Sequence, residues 1–209
     1  MPKRTVSRAR RDVFYPSSDG KPMAENDIIR ENLIEAIQGL GWWFRARADV
    51  YVSGNLLVYD VEGNPRKRVA PDVFVVVGVE KRLRENYKLW EEKVPPTCVI
   101  EIVSRTTWKD DVGSKMLRYQ GWGVAEYYVF DPKDLYLVPP LQGYRLVKGQ
   151  YVALEGPPFS SAVLGLEVHA QGDLLRFRER STGIDLPTAR EVHASLEAAR
   201  QKAAAARQH

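Results

Sequence analysis

The sequence predicts a mixed α/β fold of the α+β kind: a central mixed β-sheet flanked by helices, with added β-hairpins and a C-terminal helix. Three observations carry this. RKRVAPDVFVVVG (66–78) and PPTCVIEIVSRTTWKDDVGSKMLRY (95–119) each drive a β-branched run through the interior. CVIEIV is apolar on both parities, the mark of a central strand covered on both faces. An amphipathic helical period precedes both runs. The 209 residues are enough for one domain with a full core.

Taken in order, the first element is a helix from about Glu25 to Leu40. Ile29, Leu33, Ala36, Ile37 and Leu40 fall in one sector, and Gly39 and Gly41 mark its end. RADVYVSGNLLVYDVEGNP then reads as two short strands about a Gly54-Asn55 turn, followed by a loop of Asp60, Glu62, Gly63, Asn64 and Pro65. With the strand after it, this implies an antiparallel meander. The charged segment Lys81 to Lys93 reads as helical, its cations either a solvated face or a reach toward phosphates. After CVIEIV, hydroxyls at Ser104, Thr106 and Thr107 offer N-caps for a helix from about Trp108 to Gln120.

Asp131-Pro132 ends the strand EYYVF, because proline cannot continue a ladder, and Asp131 reads as a turn-maker. LYLVPPLQGYRLVKGQYVALEG alternates as exposed hairpins do, with Gly143, Gly149 and Gly156 as turns, and short strands follow. His169 lies there, distant from the acids in sequence, and receives no catalytic role. Thr188 and Glu191 form a capping box before an alanine-rich terminal helix. Its thin apolar stripe of Val192, Leu196 and Ala199 or Ala203 serves either a homodimer contact or a solvated tail.

Net charge is +4 and the pI about 9.1, the footprint of a nucleic-acid partner until the charge is located. Five of the 31 lysines and arginines, Lys3, Arg4, Arg8, Arg10 and Arg11, stand in residues 1–11, where no acid occurs. The remaining 26 face 27 acids, so the body is close to neutral. The arm either holds a phosphate backbone nonspecifically or solubilises the terminus. Cys98, alone, cannot form an internal disulfide and reads as a small core hydrophobe. No long apolar run and no apolar segment behind the basic arm support a membrane span or signal peptide, so the expected location is cytoplasmic. No glycine-rich phosphate loop, zinc-spaced Cys/His cluster or Gly-x-Ser-x-Gly elbow points to another cofactor or hydrolase class.

The chemistry concentrates in two carboxylates. Asp72 heads one core strand and Glu101 sits inside the other, and a buried charge must be neutralised, hydrogen-bonded or bound to a cation. Asp111 and Lys115, four apart, project from one helix face. Taken alone, Glu101 could form a structural ion pair with Lys115 or Arg118. Two acids in core strands beside a lysine can instead hold a magnesium ion, orient water and offset charge on a phosphoryl oxygen.

Pro71-Asp72, Glu101-Ile-Val-Ser104, Asp111 with Lys115, and Gly123-Val-Ala-Glu126-Tyr-Tyr-Val-Phe-Asp131-Pro132 resemble the PD-(D/E)XK nuclease superfamily. Within it they are most similar to the Uma2 family of restriction-type endonucleases, over about Pro22 to Glu191. The resemblance implies a restriction-endonuclease-like core at 22–187, between a basic arm at 1–21 and the helix at 188–209. It implies magnesium- or manganese-dependent hydrolysis of phosphodiester bonds in nucleic acid, DNA foremost, with Asp72, Glu101 and Lys115 catalytic. Asp72 and Glu101 would hold the metal. Superfamily members often add an acid from the first helix, for which Glu25 is the candidate, although a first-turn acid also suits the helix dipole. One departure stands out: the lysine expected two residues after the acid is Val103, and Lys115 matches the helix lysine thought to replace it. The alternative is a non-catalytic nucleic-acid- or protein-binding module on the same fold.

Overall fold

The computed structural model of the chain describes residues 13–18 and 26–206. Asn26 caps α1 (Asp27–Trp43), its side chain accepting the Ile29 N–H at 3.1 Å. The helix buries Ile29, Leu33, Ala36 and Leu40, as its period predicts. It does not stop at Gly39 or Gly41. It continues until Trp43 reaches the core, where its indole N–H donates to Leu164 O at 2.9 Å.

The strands are β1 (Val50–Ser53), β2 (Val58–Tyr59), β3 (Arg68–Val69), β4 (Val73–Val77), β5 (Tyr87–Lys88), β6 (Cys98–Ile102) and β7 (Glu126–Phe130). β8 (Leu141–Val147), β9 (Gln150–Ala153), β10 (Phe159–Ser160), β11 (Leu166–Gln171) and β12 (Leu174–Glu179) follow. The central sheet runs β1-β4-β6-β7-β8-β9; β6 and β7 are parallel and every other pair is antiparallel. A parallel pair needs a crossover. Here it is one helical passage: α3 (Trp108–Asp110), a π-helical turn over Asp111–Lys115, and α4 (Met116–Trp122). No cap hydroxyl bonds the start of α3; the Thr107 hydroxyl instead accepts the Ser104 N–H at 3.1 Å.

Two expectations fail in instructive ways. The strands flanking Gly54-Asn55 do not pair with each other and make no meander, because β1 pairs β4 while β2 joins a separate sheet, β3-β2-β5. The turn between them is pressed onto the neighbouring strand: a Cβ on Gly54 would lie 2.1 Å from Asp72 O, and Asn55 N–H donates to Pro71 O at 2.9 Å. The segment 81–93 yields only β5 and the four-residue α2 (Leu89–Glu92). There, Arg84 is drawn inward by Glu92 at 2.7 Å and lies 4.3 Å from the Tyr51 ring, contacts that a solvated helix would forgo.

The sheet separates two cores. Odd residues of β4 and even residues of β6, with Tyr128 and Phe130, face α1 and the sheet β10-β11-β12. Phe74, Val76, Val99, Tyr127 and Val129 face the crossover and the small sheet. All five residues of β6 are buried, and each large apolar one contributes roughly 1.5–3 kcal/mol. Cys98 is among them. Asp131 organises the loop after β7 by accepting the N–H groups of Lys133, Leu135, Tyr136 and Leu137 at 2.5–3.1 Å. The hairpin β8–β9 turns at Lys148-Gly149, both at positive φ, as tight hairpins require. The capping box forms before α5 (Ala189–Ala206), Glu191 accepting Thr188 N–H at 2.7 Å and Thr188 accepting Glu191 N–H at 3.2 Å. No residue of α5 is buried, and no helix among the described residues is long and apolar enough to cross a membrane.

Candidate active site

β4 and β6 are antiparallel, with Val73 opposite Ile100, so one step further along Asp72 meets Glu101. The Asp72 backbone N–H points at Glu101 Oε2 across 3.4 Å, and Asp72 Oδ2 accepts the Ile102 N–H at 2.8 Å. Strand alternation sends both side chains to the crossover side of the sheet. Gly54 lets the preceding turn close against the Asp72 carbonyl.

The crossover brings the cation. Lys115 Nζ lies 2.9 Å from Glu101 Oε2 and 2.8 Å from Asp111 Oδ1. Four residues beyond it, the Tyr119 hydroxyl donates to Glu101 Oε1 at 2.5 Å. Each Glu101 oxygen is thus oriented by a side-chain donor, one by an ammonium and the other by a phenol, with acceptor capacity left on both. Asp111 is fully buried, yet neither of its oxygens accepts a well-aligned hydrogen bond; the Lys115 charge is its partner. π turns insert where a helix must reposition side chains, and this one holds both members of that pair.

Three carboxylates about one ammonium leave an excess of negative charge. Burial pushes Glu101 up to about 7 and Asp72 up to about 6, against the pull of Lys115 on both. Asp111 rises to about 6 through burial and the Glu101 charge. Burial works against the Lys115 ammonium, but Glu101, Asp111 and Asp72 together outweigh it and hold the lysine protonated far above neutrality. Burial and the Glu101 charge likewise keep the Tyr119 phenol neutral.

The donors suit a hard divalent cation: all are carboxylate oxygens, and neither buried Asp111 oxygen accepts a well-aligned hydrogen bond. Among the described residues no three acids, histidines or cysteines are grouped to enclose a metal.

Of the residues predicted for the site, Asp72, Glu101 and Lys115 come together. Glu25 and the arm residues Lys3, Arg4, Arg8, Arg10 and Arg11 lie outside the described residues. Arg118 does not pair with Glu101; it donates to Arg68 O at 2.7 Å and approaches Asp60 at 3.7 Å. Asp111 is more deeply placed than its helix-face position suggests. Tyr119 is a site residue that sequence reasoning misses, although it stands at helical spacing from Lys115. His169 pairs with Asp185 at 2.8 Å, apart from the acids.

Residues 19–174 match a family model, Uma2, described as "Putative restriction endonuclease". A solved structure described as a "putative nuclease" from Anabaena variabilis is similar at 15% identity and a TM-score of 0.49, covering 66% of this chain and 73% of that one. No curated protein matches the chain.

Proposed function

Because the chain belongs to the Uma2 family, we propose that it is a metal-dependent endonuclease hydrolysing phosphodiester bonds of nucleic acid, DNA foremost, with Asp72, Glu101 and Lys115 as its catalytic residues. The observation that carries this reading is the convergence of Asp72 and Glu101, from adjacent strands, with Lys115 from the crossover, within one network of contacts at 2.8–3.4 Å.

Asp72 and Glu101 would hold magnesium or manganese, with Glu25 as a further ligand. When bound, the ion supplies Lewis acidity to the phosphoryl group and the attacking water. The chain's own residues do the rest. Asp72 is oriented by the Ile102 N–H and Glu101 by the Tyr119 hydroxyl, so neither carboxylate must reorganise when substrate arrives. Lys115 places a compact positive charge where negative charge grows on the phosphoryl oxygens. Val103 occupies the strand position where the superfamily lysine stands, and it is buried in the core. The helix lysine is thus the cation that reaches Glu101.

Val103 also favours the second reading, a non-catalytic nucleic-acid-binding module. Incubating the purified chain with manganese and plasmid, single-stranded DNA and RNA separates the two. Metal-dependent nicking supports the enzyme; binding of metal with no cleavage of any substrate would falsify it.

A further inference from the structure

A second constellation lies at the carboxyl ends of the parallel strands β6 and β7, where open sheets leave room for ligands. A cleft of about 180 Å³ is lined there by Asn26 and Ile29 at the start of α1, by Ser104 and Arg105 after β6, and by Lys133 and Tyr136 after β7. Arg105 and Lys133 are exposed, and neither side chain makes a hydrogen bond or ion pair among the described residues. Tyr136 stacks on Trp108, rings 6.0 Å apart and 17° from parallel, and the Lys109 ammonium lies 5.5 Å from the Trp108 ring. Of the acids nearby, Asp131 is spent on backbone N–H groups and Asp110 accepts from the Ser114 hydroxyl at 3.1 Å; Asp134 is exposed beside Lys133.

The cleft neighbours the acid cluster along the chain in two places. Its wall includes Val103, two residues beyond Glu101 along the same chain segment, and Trp108 opens the helical passage that carries Lys115 and Tyr119. Unpaired cations beside a stacked aromatic pair are the chemistry that grips a nucleic-acid strand, phosphate by charge and base by stacking.

Building on the nuclease reading, we infer that this cleft seats the substrate strand: Arg105 and Lys133 hold a backbone phosphate near the scissile one, and the Tyr136–Trp108 pair supports an adjacent base. The test is binding of fluorescent single- and double-stranded DNA across a salt series with EDTA present. Arg105→Ala/Lys133→Ala is expected to weaken binding at least tenfold and to flatten the salt slope by about 0.7–0.9 for each phosphate no longer neutralised. Tyr136→Leu is expected to weaken single-stranded binding more than duplex binding. Lys148→Ala/Arg180→Ala removes equal charge from exposed turns elsewhere and is expected to change little. An unchanged slope in Arg105→Ala/Lys133→Ala overturns the assignment, as does an equal loss in the control pair or no DNA binding by the wild type. Cleavage is measured separately. A wild type that binds DNA through Arg105 and Lys133 without ever cleaving it removes the nuclease reading and leaves the cleft assignment standing.

Discussion

Lys115 Nζ sits 2.9 Å from Glu101 Oε2, tying the helical crossover to the central strand through a single ammonium. That ammonium also serves Asp111 at 2.8 Å, so Lys115→Ala strands two buried carboxylates. Both already titrate above their ordinary range, at about 7 and about 6, and loss of the lysine moves them higher. A carboxylate whose folded pKa exceeds its unfolded one costs stability as pH rises through the folded value. Lys115→Ala should therefore abolish nicking, cost about 3–5 kcal/mol at pH 8 and cost clearly less at pH 5. Thermal melts at the two pH values check this; a pH-independent loss would point to packing instead.

Asp72→Asn and Glu101→Gln should each greatly weaken manganese binding in isothermal titration, because each removes one of the two carboxylates proposed to hold the ion. Unchanged affinity in both variants would make the acids structural.

Tyr119→Phe removes the donor that fixes Glu101 and leaves the ring in place. Expected are a loss of about 1–3 kcal/mol in stability and a fall in the nicking rate with substrate affinity unchanged. A fall in substrate affinity alone would deny Tyr119 its positioning role.

Gly54→Ala forces a Cβ to within 2.1 Å of Asp72 O, so a backbone must shift. The variant should lose on the order of 1–3 kcal/mol and bind manganese more weakly. Wild-type affinity in a folded variant would show that the turn is not what positions Asp72.

Removing residues 1–11 should weaken DNA binding and reduce its salt slope if Lys3, Arg4, Arg8, Arg10 and Arg11 hold the phosphate backbone. An identical slope assigns the arm to solubility.

The strands bearing Asp72 and Glu101 are legible in the sequence because a carboxylate in a β-branched run contradicts its surroundings, and such contradictions gather at functional sites. Lys115 follows from helical spacing to Asp111. The pairing of β1 with β4 is not legible: Gly54-Asn55 carries a hairpin signal, and only long-range packing sends the next strand to another sheet. Segment 81–93 reads as a charged helix because no local pattern reveals that Arg84 is buried against Tyr51 and Glu92. The full burial of Asp111 depends on the protein packed around the crossover, which a sequence window does not contain.

The π turn at Asp111–Lys115 acts as a gear between two workstations. Trp108 stands upstream against Tyr136 at the cleft, and Tyr119 stands downstream against Glu101. A π turn carries one residue more than a regular helix would between the same flanking turns. Deleting a residue from it would let a regular helix join the same flanking turns, leaving Trp108 and Tyr119 in place while turning Asp111 and Lys115 to new directions relative to Glu101. The length of this segment is therefore a constraint separate from its composition: a change of one in residue count moves the Lys115 ammonium away from Glu101 even where every side chain is kept.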